Sequence, residues 1–335
     1  MKAIVNTADR ILELLDYPLP EPGAGQVRIR TGACGICATD IEMIDGWSRT
    51  GHPSIPGHEW SGTVDAVGTG VDAGLVGRRC VAENVLADGG EVGFEHPGGY
   101  GQYLITEAAN LQLLPDGFSF AEAAMIEPLA VCVRAMNRLG LDYLGGSSSG
   151  ALVRNTSALI LGDGPIGLLM TALLARSGVK DIVVVGGRDA RLQVSRSFGA
   201  QYTLNYRDLG GDMVAAIRAK MAYEFPLIIE ATGNPVALTA GLNLVSREGK
   251  CLMIGDYGLS HAAFLWNLIL IKEITLLGTN ASAGAWSEAV RLAVNGEVHL
   301  SRLVTHRVPA TSFADGMAIT RSRKGDVIKV VMDWE

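Results

Sequence analysis

The spacing of hydrophobic residues changes between the first third and the middle third of the chain. In the first third, apolar residues alternate with polar ones over short runs such as residues 27–29 and 62–67, and glycine and proline separate the runs. Alternation with a period of two is typical of half-buried strands, and glycine and proline mark the turns between them. We therefore predict an irregular β domain for this part of the chain.

The middle third contains unbroken apolar runs, and helical patterns lie between most of them. The strand candidates are residues 157–161, 181–185, 227–229, 250–254 and 274–278. Strands that alternate with helices form a parallel sheet with helices on both faces. We therefore predict an α/β unit with a doubly wound parallel sheet. A helix over residues 286–294 and a strand over residues 326–332 should follow it, and the Ser- and Gly-rich stretch 145–150 predicts a linker or loop.

Local chemistry predicts one helix boundary before the α/β unit. Ser119 and Glu122 have the spacing of a capping box, which begins a helix. Pro128 cannot continue that helix, because it lacks the N–H group that an interior helical hydrogen bond requires. We predict a break at Glu127 and Pro128, and a second helix that begins with Pro128 and runs to about Arg138.

Composition narrows the class of protein. The chain has 335 residues, of which 48% are hydrophobic and 19% are charged, so it can bury the cores of two domains. Its formal net charge is −7 and it has no basic run, which argues against nucleic acid or a membrane surface as the main partner. The N-terminus shows no signal-peptide pattern, and the five cysteines are irregularly spaced. These features predict a reduced, cytoplasmic protein.

A glycine-rich turn follows the first strand candidate of the middle third. It reads as a strand, then G-x-G-x-x-G, then a helix that begins with Pro165 and Ile166. Gly162 allows the tight turn, Gly164 lets the backbone approach a pyrophosphate, and Gly167 lets the helix pack closely on the sheet. The free N–H groups of the helix attract phosphate. We interpret the turn as a dinucleotide site, with a turn that binds no ligand as the alternative.

The end of the second strand candidate indicates which dinucleotide binds. Enzymes that use NAD usually carry Asp or Glu there, to bind the ribose hydroxyls. This chain carries Gly187 and Arg188 instead, and Tyr206 follows the next strand candidate. An arginine can bind a 2′-phosphate through several donors. We therefore predict that NADP is preferred over NAD. In the alternative, Arg188 is solvated and Asp189 binds the ribose.

Four residues outside the α/β pattern are candidate metal ligands. Cys37 forms a C-x-x-C with Cys34, and His58, Glu59 and Glu127 lie further along the chain. One thiolate, one imidazole and one or two carboxylates suit a catalytic zinc that keeps a position for water or substrate. Neighbouring strand residues point to opposite faces. His58 and Glu59 can therefore share a metal only if the backbone turns there, and otherwise Glu59 lies behind the ligands.

Three segments in a fixed order resemble one family. They are Cys-Gly-Ile-Cys-Ala-Thr-Asp at residues 34–40, Gly-His-Glu at 57–59, and Glu-Pro-Leu-Ala-Val at 127–131, ahead of the glycine-rich turn. Together they resemble the zinc-containing medium-chain dehydrogenases over nearly the whole chain. The resemblance implies a GroES-like, β-rich catalytic domain at residues 1–133 and 281–335, and a Rossmann cofactor-binding domain at residues 134–280.

The resemblance also implies roles for single residues of the catalytic domain. Cys37, His58 and Glu59 stand at catalytic zinc positions, and Glu127 stands at the fourth, where sorbitol and glucose dehydrogenases also have a carboxylate. Cys34 is not expected to be a ligand. Thr39 stands where the family keeps a hydroxyl that binds the substrate hydroxyl. In the Rossmann domain, the family landmark at residues 230–233 makes Thr232 a candidate cofactor contact.

Two departures from the family pattern matter. The structural zinc lobe, normally four cysteines, should lie between about Arg79 and Pro97, but only Cys80 is present. We therefore predict one catalytic zinc per chain and no structural zinc. Glu42 stands where many members have a histidine that relays protons, and glucose dehydrogenases resemble this chain, not those members, at that position. It could bind a second substrate hydroxyl, replace the relay, or simply face solvent.

The activity that the resemblance implies is oxidation of a secondary alcohol, or reduction of its carbonyl, by hydride transfer with a nicotinamide cofactor. Zinc would polarise the oxygen of this small-molecule substrate. A sugar, a linear polyol, a cyclitol-like compound and a simple alcohol are all compatible. A zinc-free quinone or enoyl reductase and a non-enzymatic, crystallin-like protein are the rivals, and neither needs the zinc residues. An exposed strand edge near residues 274–278 predicts a homodimer or homotetramer.

Overall fold

The computed structural model describes residues 1–140, 156–322 and 324–334. Contacts divide the chain into two units, one of Met1–Ala130 with Ala283–Glu335 and one of Val131–Ser282. The predicted domain boundaries after residues 133 and 280 stay predictions, because a division by contacts does not show which part folds on its own. The predicted linker at residues 145–150 lies outside the described residues.

The strands and helices are numbered in chain order. The strands are β1 (Lys2–Ala8), β2 (Ile11–Asp16), β3 (Gln26–Gly35), β4 (Trp60–Val67), β5 (Arg79–Ala82), β6 (Tyr103–Glu107), β7 (Leu111–Leu113), β8 (Ser157–Leu161), β9 (Asp181–Gly186), β10 (Tyr202–Asn205), β11 (Phe225–Glu230), β12 (Val245–Met253), β13 (Thr275–Gly278), β14 (Val304–Pro309) and β15 (Lys329–Asp333). The helices are α1 (Ala38–Ile44), α2 (Phe120–Ala124), α3 (Ile126–Leu139), α4 (Pro165–Arg176), α5 (Asp189–Ser197), α6 (Met213–Met221), α7 (Pro235–Leu244), α8 (Asn267–Lys272), α9 (Trp286–Val294) and α10 (Phe313–Ser322). Within the described ranges, no helix has the length and apolar character to cross a membrane.

The first unit is built on a seven-stranded sheet in the order β14-β15-β3-β4-β5-β7, in which β6 also pairs with β3. Strand β3 follows the predicted alternation, since Val27 and Ile29 are fully buried while Arg28 pairs with Asp65 at 2.7 Å. Strand β15 pairs antiparallel with β3. The last strand of the chain therefore lies beside the strand that leads into Cys34 and Cys37. The predicted β-rich domain is confirmed.

The second unit is a six-stranded sheet in the order β10-β9-β8-β11-β12-β13, and every neighbouring pair in it is parallel. The run Val183, Val184 and Val185 in β9 is buried, as expected for a strand covered by helices on both faces. The predicted doubly wound Rossmann sheet is confirmed. Its first turn, between β8 and α4, is the glycine-rich turn.

The predicted helix break at Glu127 and Pro128 is wrong in position. Ser119 caps α2 as expected, since its hydroxyl accepts a hydrogen bond from the N–H of Glu122 at 3.5 Å. The break falls at Met125, and α3 already begins at Ile126. Pro128 fits inside the first turn of α3, because the first four N–H groups of a helix have no partner within the helix. Glu127 therefore lies in the first turn of α3.

Candidate active site

The start of α1 positions the Cys37 thiol. The N–H of Cys37 donates to Asp40 Oδ2 at 2.8 Å, so the Asp40 side chain caps the start of the helix. The Cys37 sulfur lies 3.7 Å from the Thr39 hydroxyl. Cys34 is fully buried, and burial, with the nearby Asp40 carboxylate, raises the pKa of its thiol. Since the thiolate is the form that binds metals, Cys37 is the better ligand of the two.

A turn before β4 brings His58 and Glu59 to the same side. Gly57 has φ +101°, and β4 begins only at Trp60, so the alternation of a strand does not apply to these two residues. The ligand atoms of Cys37, His58 and Glu59 all lie within 4.8 Å of one another. The structure therefore brings together three of the four residues that the sequence suggested as ligands.

Asp40 also lies behind the His58 imidazole. Asp40 Oδ1 is 3.2 Å from His58 Nδ1, and the Tyr100 hydroxyl donates to Asp40 Oδ2 at 3.3 Å. Burial alone would lower the pKa of His58, but the Asp40 carboxylate outweighs it and raises the pKa well above its usual value. A carboxylate beside one ring nitrogen orients the ring and leaves the other nitrogen for a metal. This contact was not predicted from the sequence, because Asp40 lies 18 residues before His58 and local patterns do not pair them.

A buried ion pair joins Glu59 to Lys329, the first residue of β15. The Lys329 ammonium donates to Glu59 Oε1, and their side chains are only 6% and 1% exposed. Burial disfavours the lysine cation, but Glu59 keeps the pKa of Lys329 above its usual value. No residue near Glu59 in sequence signals this partner. Lys329 was therefore not predictable as part of the site from the sequence.

The buried polar atoms of the site fit a metal ion. Among the described residues of the site, Glu59 Oε2 is buried without a hydrogen-bond partner, whereas Asp40 Oδ1 and His58 Nδ1 are buried and face each other at 3.2 Å. Buried polar atoms normally have partners, so the Glu59 oxygen indicates an ion or water in the site. One thiol, one imidazole and one carboxylate are a donor set that zinc accepts. The residues present therefore fit a zinc ion.

Glu127, the predicted fourth ligand, does not belong to the group of three. Burial raises the pKa of Glu127 to about 7; the Glu59 carboxylate also raises this pKa, whereas His58 and Lys329 lower it. Glu127 is therefore close enough to interact electrostatically with the group of three. The structure does not bring a Glu127 oxygen as close as the other ligand atoms. Its role as fourth ligand stays a prediction.

The raised pKa of Glu127 predicts a pH dependence of stability in the metal-free protein. Its usual value is 4.5 and its value in the folded protein is about 7, so the folded protein holds a proton that the unfolded chain has lost. The contribution is complete below pH 4.5 and is lost as the pH rises through about 7. Urea unfolding of chelator-treated protein should show this decline, and Glu127→Gln should flatten it. The matched control, Glu122→Gln in α2, should show the same decline as the wild type. A decline in Glu127→Gln as large as in the wild type would contradict the assignment of this pH dependence to Glu127.

Thr39 and Glu42 both lie on α1. Thr39 is partly buried beside Cys37, whereas the side chain of Glu42 is exposed. The role of Glu42 in proton relay or substrate binding, and the role of Thr39 as a substrate contact, stay predictions.

The glycine-rich turn has the local structure that the motif predicts. Gly162 has φ +123°, a conformation that favours glycine, and Gly164 is the N-cap of α4. Pro165 and Ile166 are the first residues of α4. A Cβ on Gly167 would lie 2.1 Å from the carbonyl oxygen of Gly162, so only glycine allows this approach. The turn therefore presents the N-terminus of α4 as the motif requires.

Arg188 is held in place at the end of β9. Its guanidinium donates to Asp163 Oδ1 at 3.0 Å, and the N–H groups of Gly187 and Arg188 donate to Asp163 Oδ2 at 2.9 and 2.8 Å. The Tyr206 ring packs on Gly187 so closely that a Cβ there would lie 2.4 Å from the ring. The structure thus brings Gly187, Arg188 and Tyr206 together, and Arg188 is not merely solvated.

The two other cofactor candidates have polar partners of their own. The Asp189 carboxylate accepts a hydrogen bond from Asn205 Nδ2 at 2.8 Å. The Thr232 hydroxyl donates to Glu230, a fully buried carboxylate that also accepts from the Tyr257 hydroxyl at 2.6 Å. The role of Thr232 as a cofactor contact stays a prediction.

Comparison with known proteins places the chain in a family. The model described as "Alcohol dehydrogenase GroES-like domain" matches residues 23–116, and the one described as "Glucose dehydrogenase C-terminus" matches residues 121–334. The chain belongs to the zinc-type medium-chain alcohol dehydrogenase family. It is therefore a zinc-dependent dehydrogenase that uses NAD(H) or NADP(H), and neither rival hypothesis is supported.

Individual relatives of this dehydrogenase align over nearly their full length. An L-threonine 3-dehydrogenase of Rhizobium etli is 28% identical, with 100% of this chain and 99% of the relative covered. A galactitol 1-phosphate 5-dehydrogenase of Escherichia coli is 26% identical, with 95% of each chain covered. The crystal structure of a short chain alcohol dehydrogenase from Escherichia coli CFT073, complexed with NADH, superposes with a TM-score of 0.90 at 24% identity, covering 100% of this chain and 99% of that one. This last likeness shows the fold.

Proposed function

We propose that this dehydrogenase interconverts a secondary alcohol of the sugar, polyol or cyclitol type and its carbonyl, with NADP(H) as the preferred cofactor. The observation that carries the proposal is the group of Cys37, His58 and Glu59, with Asp40 behind His58. The relatives support the substrate class, because threonine and galactitol 1-phosphate, which two of them are named for, both carry hydroxyl groups.

In this proposal the side chains of the first unit hold the metal and manage the proton. Zinc, when bound, polarises the substrate oxygen as a Lewis acid. Cys37, His58 and Glu59 hold it, and the Asp40 carboxylate keeps the imidazole oriented. The Thr39 hydroxyl, beside Cys37, accepts the hydrogen bond of the substrate hydroxyl and passes its proton towards solvent. A bound nicotinamide cofactor would accept or supply the hydride.

Metal analysis and a substrate screen test this function. We expect about one zinc per chain in purified protein, and NADP⁺ reduction with a sugar or polyol that a chelator abolishes and added zinc restores. Of the residues between Arg79 and Pro97, only Cys80 is a cysteine, and it is buried, so we propose no structural zinc there. Protein without zinc after metal-replete growth would contradict the mechanism, and two zincs per chain would contradict the stoichiometry.

The cofactor preference is tested at Arg188. Replacement by alanine should raise the Kd for NADP⁺ by about 10- to 100-fold, because a hydrogen bond to a charged group contributes about 1.5–3 kcal/mol. The Kd for NAD⁺ should change little, since NAD⁺ lacks the 2′-phosphate. Fluorescence titration measures both constants. The control is Arg218→Ala on α6, whose partner is Glu224; equal losses for the two cofactors in Arg188→Ala would contradict the role.

A second copy of the chain is the proposed partner of an exposed apolar surface at α8. Leu265, Trp266, Leu270 and Ile271 are 75%, 73%, 74% and 64% exposed. Contiguous apolar surface of this kind marks an interaction site. The adjacent strand β13 ends the sheet and, within the described residues, pairs only with β12, so a second copy can extend the sheet there. The proposal is a homodimer, or a homotetramer built from it.

Light scattering after size exclusion tests the assembly. Trp266→Glu should shift the protein to monomers, because a buried unpaired charge is costly in an interface. Val236→Glu, at an exposed apolar position of α7 (72% exposed), should leave the assembly intact. A wild-type monomer would contradict the proposal.

All five cysteines are free, which supports a cytoplasmic location as part of the same proposal.

A further inference from the structure

The segment that follows β5 contacts His58 at three different groups. Asn84 Nδ2 donates to the His58 carbonyl oxygen at 2.9 Å. Gly93, with φ +88°, packs so closely that a Cβ would lie 2.7 Å from the His58 nitrogen. The Phe94 ring stacks on the imidazole, with centroids 4.9 Å apart and planes inclined by 28°. Residues 84–94 therefore contact the carbonyl, the amide and the ring of one proposed metal ligand.

Arg49 holds this segment in place. Its guanidinium lies over the Phe94 ring, 4.4 Å from the centroid. The same group donates to both carboxylate oxygens of Glu95 at 2.8 and 3.0 Å and to Glu91 Oε1 at 2.9 Å. Paired bonds between a planar guanidinium and a carboxylate are geometrically specific. Trp47 meets Phe94 edge-on at 6.3 Å. Arg49 therefore binds the segment both through its carboxylates and through the Phe94 ring that stacks on His58.

We infer that residues 84–94 support the metal ligand His58, with Phe94 and Arg49 as positioning residues that slow the loss of the metal. The inference rests on the proposed role of His58 as a zinc ligand. Phe94, which Arg49 holds, restricts rotation of the imidazole and so keeps its ring directed towards the metal position. Outer contacts of metal-binding histidines typically change metal affinity by about 10- to 100-fold. These residues lie where other members of the family carry the structural zinc lobe, and in this chain they contact His58.

The rate of zinc release from the full-length, zinc-loaded enzyme tests the inference. Excess EDTA is added and free zinc is followed with a colorimetric indicator. Phe94→Leu should release zinc about 10-fold faster than the wild type, and Arg49→Met should act in the same direction. Arg49→Lys should release zinc more slowly than Arg49→Met but faster than the wild type, because lysine keeps the positive charge and lacks the planar guanidinium. The control is Arg321→Met, since Arg321 makes a similar paired contact with Asp45 at 2.8 and 3.0 Å.

Cobalt substitution supplies a second measurement that a general loss of stability would not change. Replacement of zinc by Co²⁺ gives absorption bands that report the ligand geometry. The bands of Phe94→Leu should differ from those of the wild type, and the bands of Arg321→Met should match them. Equal release rates and equal spectra in all variants would overturn the inference while the proposed function stands. Faster release in Arg321→Met as well would also overturn it, because the effect would not be specific to His58. A wild-type enzyme without zinc would instead overturn the proposed function.

Discussion

Replacement of Cys37 by serine should remove zinc from the enzyme and lower kcat by about three orders of magnitude. The Lewis acid contributes several kcal/mol to the barrier, and about 1.4 kcal/mol corresponds to a factor of ten in rate. A serine hydroxyl is not ionised near neutral pH, so it does not replace the thiolate as a ligand. His58 and Glu59 would remain, but two donors hold zinc weakly. Metal analysis and steady-state rates with NADP⁺ measure the two effects.

The matched control is Cys34→Ala, in the same C-x-x-C. The Cys34 sulfur is fully buried, and a Cβ on Gly57 or Gly99 would lie 2.8 or 2.7 Å from it. Cys34→Ala should therefore lower stability through a small cavity and leave about one zinc per chain. The assignment of Cys37 as the ligand would be contradicted if Cys37→Ser kept its zinc and its turnover, or if only Cys34→Ala lost zinc.

The second large effect is expected at Lys329. Lys329→Met should lower the free energy of unfolding of the zinc-free protein by about 3–5 kcal/mol, because it leaves the Glu59 carboxylate buried and unpaired. The side chains of this pair are 6% and 1% exposed, so water cannot replace the lost partner. Urea unfolding at pH 7 measures the change. Addition of Glu59→Gln to the variant should recover part of the loss, since it removes the uncompensated charge.

An exposed ion pair between β14 and β15 provides the comparison for Lys329. Arg307 of β14 makes paired contacts with Asp333 of β15 at 2.8 and 3.0 Å, and its side chain is 57% exposed. Arg307→Met should cost less than about 1 kcal/mol, because water screens the pair. If Lys329→Met lowers the free energy of unfolding no more than Arg307→Met does, the prediction is wrong, and the buried pair with Glu59 contributes no more to stability than an exposed pair.

Residue pattern alone predicted the parts of the fold that depend on local interactions. The strand expected at residues 157–161 coincides with β8, and the helix expected at residues 286–294 coincides with α9. The turn after β8 was also predictable, because glycine spacing limits how the backbone can bend between a strand and a helix. Pro128 misled the analysis, because its effect depends on where in the helix it lies, and that position was set by a break at Met125.

At the candidate site, the sequence by itself determined which side chains carry the chemistry, and the tertiary structure decided what surrounds them. The C-x-x-C and the Gly-His-Glu turn identified Cys37, His58 and Glu59. Only the fold shows that Lys329, 270 residues from Glu59, lies beside it, and that Phe94 stacks on His58. The physical reason is that hydrophobic periodicity and capping act between near neighbours in the chain. The partner of a buried charge or ring is instead set by which distant strands and loops pack together.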